Sequence, residues 1–261
     1  MIGFIGGGKM AEALIKGITS KGNKNIFVSE PLEERRLYLE SSYGIKTSVS
    51  NKEVSDTCSI IILAVKPQNM AAVLDEVAGS ITGDKTVVSI AAGITLSRLQ
   101  EKLKTKKIVR VMPNTPAIVQ EGMSVLSLCE CFSEQDITAV REIFMSVGRV
   151  LTLPEKYMNT VTALSGSGPA FIALFTEALV AAGHQLGLAR EHAAELALQT
   201  VVGTARLLET GMPPERLREM VTSPGGTTAA GLKTFEEKGL KEIVTDALQA
   251  AVKRAEELGG N

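Results

Sequence analysis

Two glycine-bearing turns carry residue types that bind negative charge, and each stands where a helix should begin. The first is Gly6-Gly7-Gly8-Lys9-Met10-Ala11. It follows the apolar run Ile2–Ile5 and opens a helical segment over 10–20. In that setting Gly6 permits a tight turn, Gly8 lets a pyrophosphate approach the backbone, and Ala11 allows close helix–strand packing. The helix start then offers free N–H groups and partial positive charge to phosphate. A lone GxGxxA also describes a ligand-free glycine turn. The strand before it, the helix after it and the βαβ unit around it favour a dinucleotide.

The second turn is Ser223-Pro224-Gly225-Gly226-Thr227-Thr228, ahead of a helix over 229–238. Such a turn exposes backbone N–H groups suited to a carboxylate, and Thr227 and Thr228 add hydroxyls. Taken alone it also reads as an ordinary helix cap, which is the commoner meaning. Two further segments fall at strand C-termini, where open α/β sheets bind ligands. Ala64, Val65, Lys66 and Pro67 follow the third strand, and Ile90, Ala91, Ala92 and Gly93 follow the fourth. Their small residues leave room for a nicotinamide and its ribose, although strand-to-helix turns use the same residues.

The end of the second strand separates NAD from NADP. An acidic residue there pairs with the ribose 2′-hydroxyl, whereas small polar or basic residues accept a 2′-phosphate. Ser29 favours NADPH, and Glu30 opposes it unless it points outward. Arg35 and Arg36 suit a phosphate, but also suit a solvated helix face. NADPH is the expected cofactor and NADH remains possible.

These segments need a scaffold. Residues 1–153 alternate apolar runs at 2–5, 26–29, 60–65, 86–90, 108–111, 124–128 and 150–153 with helical stretches such as 32–42, 70–77 and 96–103. That alternation predicts an α/β fold, an N-terminal Rossmann-type doubly wound sheet. Residues 154–261 show no strand pattern and predict an all-helical domain. The apolar positions over 170–182 and 193–208 cover more than one stripe, so these helices must be buried all round. A second copy of the chain is the expected cover, which makes the helical part a dimerisation domain.

Composition narrows the class. Lys plus Arg number 28 against 29 Asp plus Glu, which argues against nucleic acid and against a polybasic membrane patch. No apolar stretch is read as reaching the ~18–20 residues that span a bilayer. The start, Ile2-Gly3-Phe4-Ile5, has no charged n-region, so the expectation is a cytoplasmic protein without a signal peptide. Three cysteines, Cys58, Cys129 and Cys131, argue against a disulfide framework. Cys129-Glu130-Cys131 resembles half a metal site, but His184 and His192 lie far away in sequence. No metal site is expected.

In order, GFIGGGKMA, AVKP, AAG, MPNTP, LSGSGPA and TSPGGTTAAGL resemble pyrroline-5-carboxylate reductase over essentially the whole chain, with the last segment (222–232) the most specific. The resemblance implies NADPH over Ile5, Gly6, Gly7, Gly8, Lys9 and Met10, with Ser29 and Asn51 near the adenosine ribose. Ala64–Pro67 and Ile90–Ala92 would contact the nicotinamide half. It implies substrate carboxylate on Ser223, Gly225, Gly226 and Thr227, Thr228 at the ring nitrogen, and Glu155 at the site mouth. Where similar proteins have Ala after the paired glycines, this chain has Thr227, which keeps the backbone N–H but narrows the pocket. An interlocked homodimer, assembled further into a pentamer of dimers, is also implied.

Two rivals remain at this stage. A hydroxyacid dehydrogenase of similar layout protonates an alkoxide with a helical Lys, yet no Lys occurs from residue 157 to 232. An imine substrate brings its own proton, so no ammonium donor is required. A nucleotide-binding protein without catalysis would keep the glycine turn but would not need the turn at 223–228.

Overall fold

The computed structural model describes residues 1–129, 132 and 134–259. Cys131 and Glu130 of the cysteine segment lie outside them. Eight strands form one sheet: β1 (Ile2–Ile5), β2 (Ile26–Ser29), β3 (Lys46–Ser48), β4 (Ile60–Leu63), β5 (Thr86–Ser89), β6 (Ile108–Met112), β7 (Gly122–Leu128) and β8 (Gly148–Thr152). Their order is β3-β2-β1-β4-β5-β6-β7-β8. All neighbours are parallel except the antiparallel β6–β7 pair. The order turns back at β1, which pairs with both β2 and β4. Ligands bind at such a switch point, beyond the strand C-termini.

The helices of this part are α1 (Lys9–Ser20), α2 (Glu33–Tyr43), α3 (Asn51–Thr57), α4 (Met70–Val77), α5 (Leu96–Lys102) and α6 (Glu134–Met145). They cover both sheet faces. In β4 the Ile62 side chain joins one core with Phe4, Leu14 and Phe144, while Ile61 and Leu63 join the other with Phe27, Leu74 and Leu99. Because both faces are buried, the strand reads as an unbroken apolar run.

No strand follows Thr152 among the described residues. There follow α7 (Met158–Val161), α8 (Gly168–Gln185), α9 (Arg190–Glu209), α10 (Pro214–Met220), α11 (Thr227–Glu237) and α12 (Leu240–Gly259). By contact the chain divides into one unit of 1–167 with 250–261, and another of 168–249. Residues 155–167 belong to the first because Met158 and Val161 bury against Val125 of β7.

One expectation needs correction. Glu155–Gln185 is a helical stretch of 31 residues with a bend at Ser167, long and apolar enough to cross a membrane by length and composition. Sequence alone leads to the expectation that no apolar stretch reaches that length. A π-helical turn over Thr162–Gly166 carries the chain through, and Pro169 is only the second residue of α8, where a missing N–H costs nothing. In the single chain this helix leaves Ile172 and Leu174 more than half exposed. A patch of that kind marks an interaction surface.

Candidate active site

At the end of β1 the backbone turns on Gly6, whose φ of +98° favours glycine. A Cβ there would also stand 2.8 Å from the Ala64 carbonyl oxygen. The Gly6 N–H donates to Ser29 O at 2.9 Å, which ties the turn to β2. Ile5 is fully buried in the strand, where its carbonyl accepts from Ala64 N–H at 2.8 Å. Gly8 occupies the N-cap of α1 and offers no side chain to cap it. A Cβ on Gly8 would meet nothing within 4 Å. An uncapped helix start facing open space suits a pyrophosphate, so these residues fit a dinucleotide.

A hollow of about 390 Å3 opens beside this turn. Gly8, Lys9 and Met10 line it, together with Ala64, Val65, Lys66 and Pro67 after β4 and Ile90, Ala91 and Ala92 after β5. Met112, Pro113, Asn114 and Thr115 after β6 form a further wall, with Gly166. Sequence alone assigns MPNTP and LSGSGPA no role at this site. The signal was present: MPNTP ends a strand of the same parallel set, so the strand-end rule applies to it as well. Asn114 holds this wall in place, accepting from Met123 N–H at 2.8 Å and donating to Ser165 O at 3.2 Å.

Ser29 and Asn51 meet at the end of β2. The buried Ser29 hydroxyl donates to Asn51 Oδ1 at 2.7 Å, and Asn51 Nδ2 donates to Glu76 at 2.7 Å. Glu30 does not face outward. Its carboxylate turns under the glycine turn and accepts from Gly7 N–H at 2.9 Å and Leu32 N–H at 3.1 Å. Arg35 donates to Gly7 O at 2.7 Å and to Glu12 at 2.6 Å. Arg36 Nη1 donates to the carbonyl oxygens of Glu30 and Pro31. Burial works to raise the Glu12 pKa, but hydrogen bonds from Arg35, Tyr38 and Tyr43 outweigh it and hold the carboxyl below its ordinary value.

Glu155 lines a second hollow of about 350 Å3, with Gly93, Thr95 and Arg110 among its walls. Its Oε1 accepts from Leu96 N–H at 2.8 Å and from Arg110 Nη1 at 3.1 Å. Among the described residues no three His, Cys, Asp or Glu side chains group to hold a metal.

In the other unit, Gly226 is the N-cap of α11, again without a capping side chain. Gly225 has φ +70°, and Gly226 N–H donates to Ser223 O at 3.0 Å. This folds the Ser223 hydroxyl against Gly226 and leaves Thr227 and Thr228 in the first turn of the helix. The group can hold an anion on backbone N–H donors with hydroxyls beside it.

Known proteins share both parts. A family model described as pyrroline-5-carboxylate reductase dimerisation matches residues 155–258, and one described as NADP oxidoreductase, coenzyme F420-dependent, matches 1–93. The pyrroline-5-carboxylate reductase of Synechocystis sp. is 42% identical over 265 residues, covering 99% of this chain and 98% of that protein. This chain belongs to the pyrroline-5-carboxylate reductase family. A solved family member from Coxiella burnetii matches with a TM-score of 0.92 and 38% identity, covering 98% of this chain and 97% of that one. The Plasmodium falciparum member, solved with NADP bound, matches at a TM-score of 0.89 and 34% identity over 99% of this chain and 97% of that one. The dimerisation model spans α8 and α9, whose apolar residues are exposed in one chain, and it supports the homo-oligomer expected from sequence.

Proposed function

We infer that this protein is an NADPH-dependent reductase that delivers hydride to the imine carbon of 1-pyrroline-5-carboxylate and yields L-proline, the last step of proline biosynthesis. The observation that carries the reading is the start of α11: an anion-ready helix N-terminus flanked by hydroxyls rather than ammonium groups. The substrate carboxylate rests on the N–H groups of Gly226 and Thr227, with Ser223 and Gly225 shaping the turn. Thr228 directs its hydroxyl at the ring nitrogen. The reduced nicotinamide supplies the hydride.

Protonation of the ring nitrogen makes the imine carbon electrophilic, and a neutral hydroxyl orients that nitrogen without opposing its charge. The protein therefore contributes positioning and electrostatics. Gly6–Met10 hold the pyrophosphate, Ser29 and Asn51 lie near the adenosine ribose, and the walls after β4 and β5 meet the nicotinamide half. NADH is the alternative cofactor.

The near-zero net charge fits a small-molecule partner rather than nucleic acid. Free thiols at Cys58 and Cys129 fit a cytoplasmic setting. The exposed apolar face of α8 fits a second copy of the chain rather than a bilayer, with a pentamer of dimers as the full assembly. The family match that begins at residue 155 supports a helical part from 154 for dimerisation and substrate after a cofactor-binding part, although 155–167 and 250–261 pack with the latter.

The test is loss of reduced-nicotinamide absorbance on adding pyrroline-5-carboxylate, with NADPH and NADH side by side. Fast oxidation, faster with NADPH, is the expected outcome. Folded dimer that oxidises neither cofactor would discard this substrate, and six-membered imino acids would be tried next.

A further inference from the structure

Dinucleotide folds place an acidic residue at the end of β2, where it accepts from the ribose hydroxyls and repels a 2′-phosphate. Glu30 occupies that place in the sequence but not in space. It is buried, and both carboxylate oxygens are engaged by backbone N–H groups, Oε2 by Gly7 and Oε1 by Leu32. Gly7 is held on its other side as well. Its carbonyl accepts from Arg35 Nε, and the Arg35 fork is fixed in turn by Glu12, which also accepts from the Tyr38 and Tyr43 hydroxyls. The third direction is closed by Leu39, which would lie 2.9 Å from a Cβ on Gly7.

The central residue of the glycine turn is thus gripped by side chains that all come from α1 and from the β2–α2 segment. Charge-assisted hydrogen bonds to backbone groups are the strong kind, and a turn already set in its binding shape has less to lose on meeting pyrophosphate. We propose that Glu30 and Arg35 are positioning residues that lock the Gly7 peptide for pyrophosphate binding, and that Glu30 is thereby withdrawn from reading the cofactor ribose. The clamp serves the part of the cofactor that NADPH and NADH share. It therefore sets affinity for both and preference for neither. This rests on the dinucleotide site of the proposed function and does not depend on the imino-acid substrate.

The test is direct binding of NADPH and of NADH to the full protein, followed by nicotinamide fluorescence. The chain has no Trp, which leaves that signal uncluttered. In Glu30→Gln one amide oxygen cannot replace both acceptors, and Arg35→Met removes the grip on the Gly7 carbonyl. Each is expected to raise Kd for both cofactors about tenfold, with their ratio kept within about threefold. Arg35→Lys keeps a cation near Glu12 but not the fork, and serves if Arg35→Met fails to fold.

A tenfold change of the NADPH-to-NADH ratio in Glu30→Gln would overturn the proposal, because Glu30 would then be reading the ribose. Unchanged Kd values would also overturn it, whether Tm falls or holds, since the contacts would then be structural only. Wild-type protein that binds neither dinucleotide removes the reductase reading itself, whereas wild-type binding with unmoved variants removes the clamp alone.

Discussion

Truncating Glu155 to Ala should destabilise the fold through Arg110. The Arg110 side chain is 5% exposed on a central strand, and the Glu155 carboxylate, 32% exposed, is its ion-pair partner at 3.1 Å. Removing one partner of a fully buried pair costs about 3–5 kcal/mol, because the other charge is left uncompensated. Here the carboxylate is about a third exposed and borders a hollow, so solvent screens part of the interaction and the expected loss is about 1–3 kcal/mol. At about 3 °C per kcal/mol for a chain of this size, Tm should fall about 3–9 °C. Thermal unfolding at fixed protein concentration measures this, since association also moves Tm. The decisive arm is the double variant. If the orphaned guanidinium is the cause, Glu155→Ala with Arg110→Met should be more stable than Glu155→Ala alone. Unchanged Tm in the single variant, or strictly additive losses in the pair, would refute the reasoning.

Thr228→Ala should lose about tenfold to a hundredfold in kcat/KM, roughly 1.4–2.7 kcal/mol of transition-state stabilisation, and an unchanged value in steady-state kinetics removes Thr228 from the site. Gly8→Ser places a good N-cap on α1, so Tm should hold or rise slightly while its hydroxyl competes with phosphate and dinucleotide Kd rises; undiminished binding refutes the open-cradle reading. The Glu12 carboxyl titrates below its ordinary value of 4.5 in the folded state, so its stabilising effect is present above that pH and fades as pH falls through the folded value. Glu12→Gln should therefore flatten the acid limb of Tm against pH, and an identical limb would contradict the network. Leu174 is 65% exposed in one chain, so Leu174→Asp should give monomer in sedimentation where wild type gives an oligomer; a wild-type monomer at micromolar concentration would remove the interface.

What the sequence disclosed follows from where burial leaves a signal. β1, β2, β4, β5 and β6 are covered on both faces, and their apolar runs were legible. β3 (Lys46–Ser48) was not, because it is a three-residue edge strand, paired on one side and polar throughout. Asn51 was placed from resemblance alone, and the short helix it opens is too polar to read. The glycine turn was legible because its spacing is local. Glu30 was ambiguous because its direction is decided by Gly7, which lies 23 residues away in sequence and beside it only after β1 and β2 pair.

The residues absent from the chemistry are as informative as those present. His184 Nδ1 lies 2.9 Å from the Leu188 carbonyl oxygen and closes the turn after α8, a structural task. The thiol of Cys58 is buried, and burial pushes its pKa up, which keeps it protonated and unreactive. The segment from residue 157 to 232 holds no Lys. A carbonyl reductase that drew its proton from a Lys of this segment would lack that donor for the alkoxide it creates. A cyclic imine already carries its proton as the iminium, and after hydride transfer the product is a neutral amine that needs no donor for its nitrogen. What such a substrate requires is a held carboxylate, an oriented nitrogen and a fixed nicotinamide. On the proposed reading, the uncapped starts at α1 and α11, with Thr228 in the first turn of α11, would answer those needs.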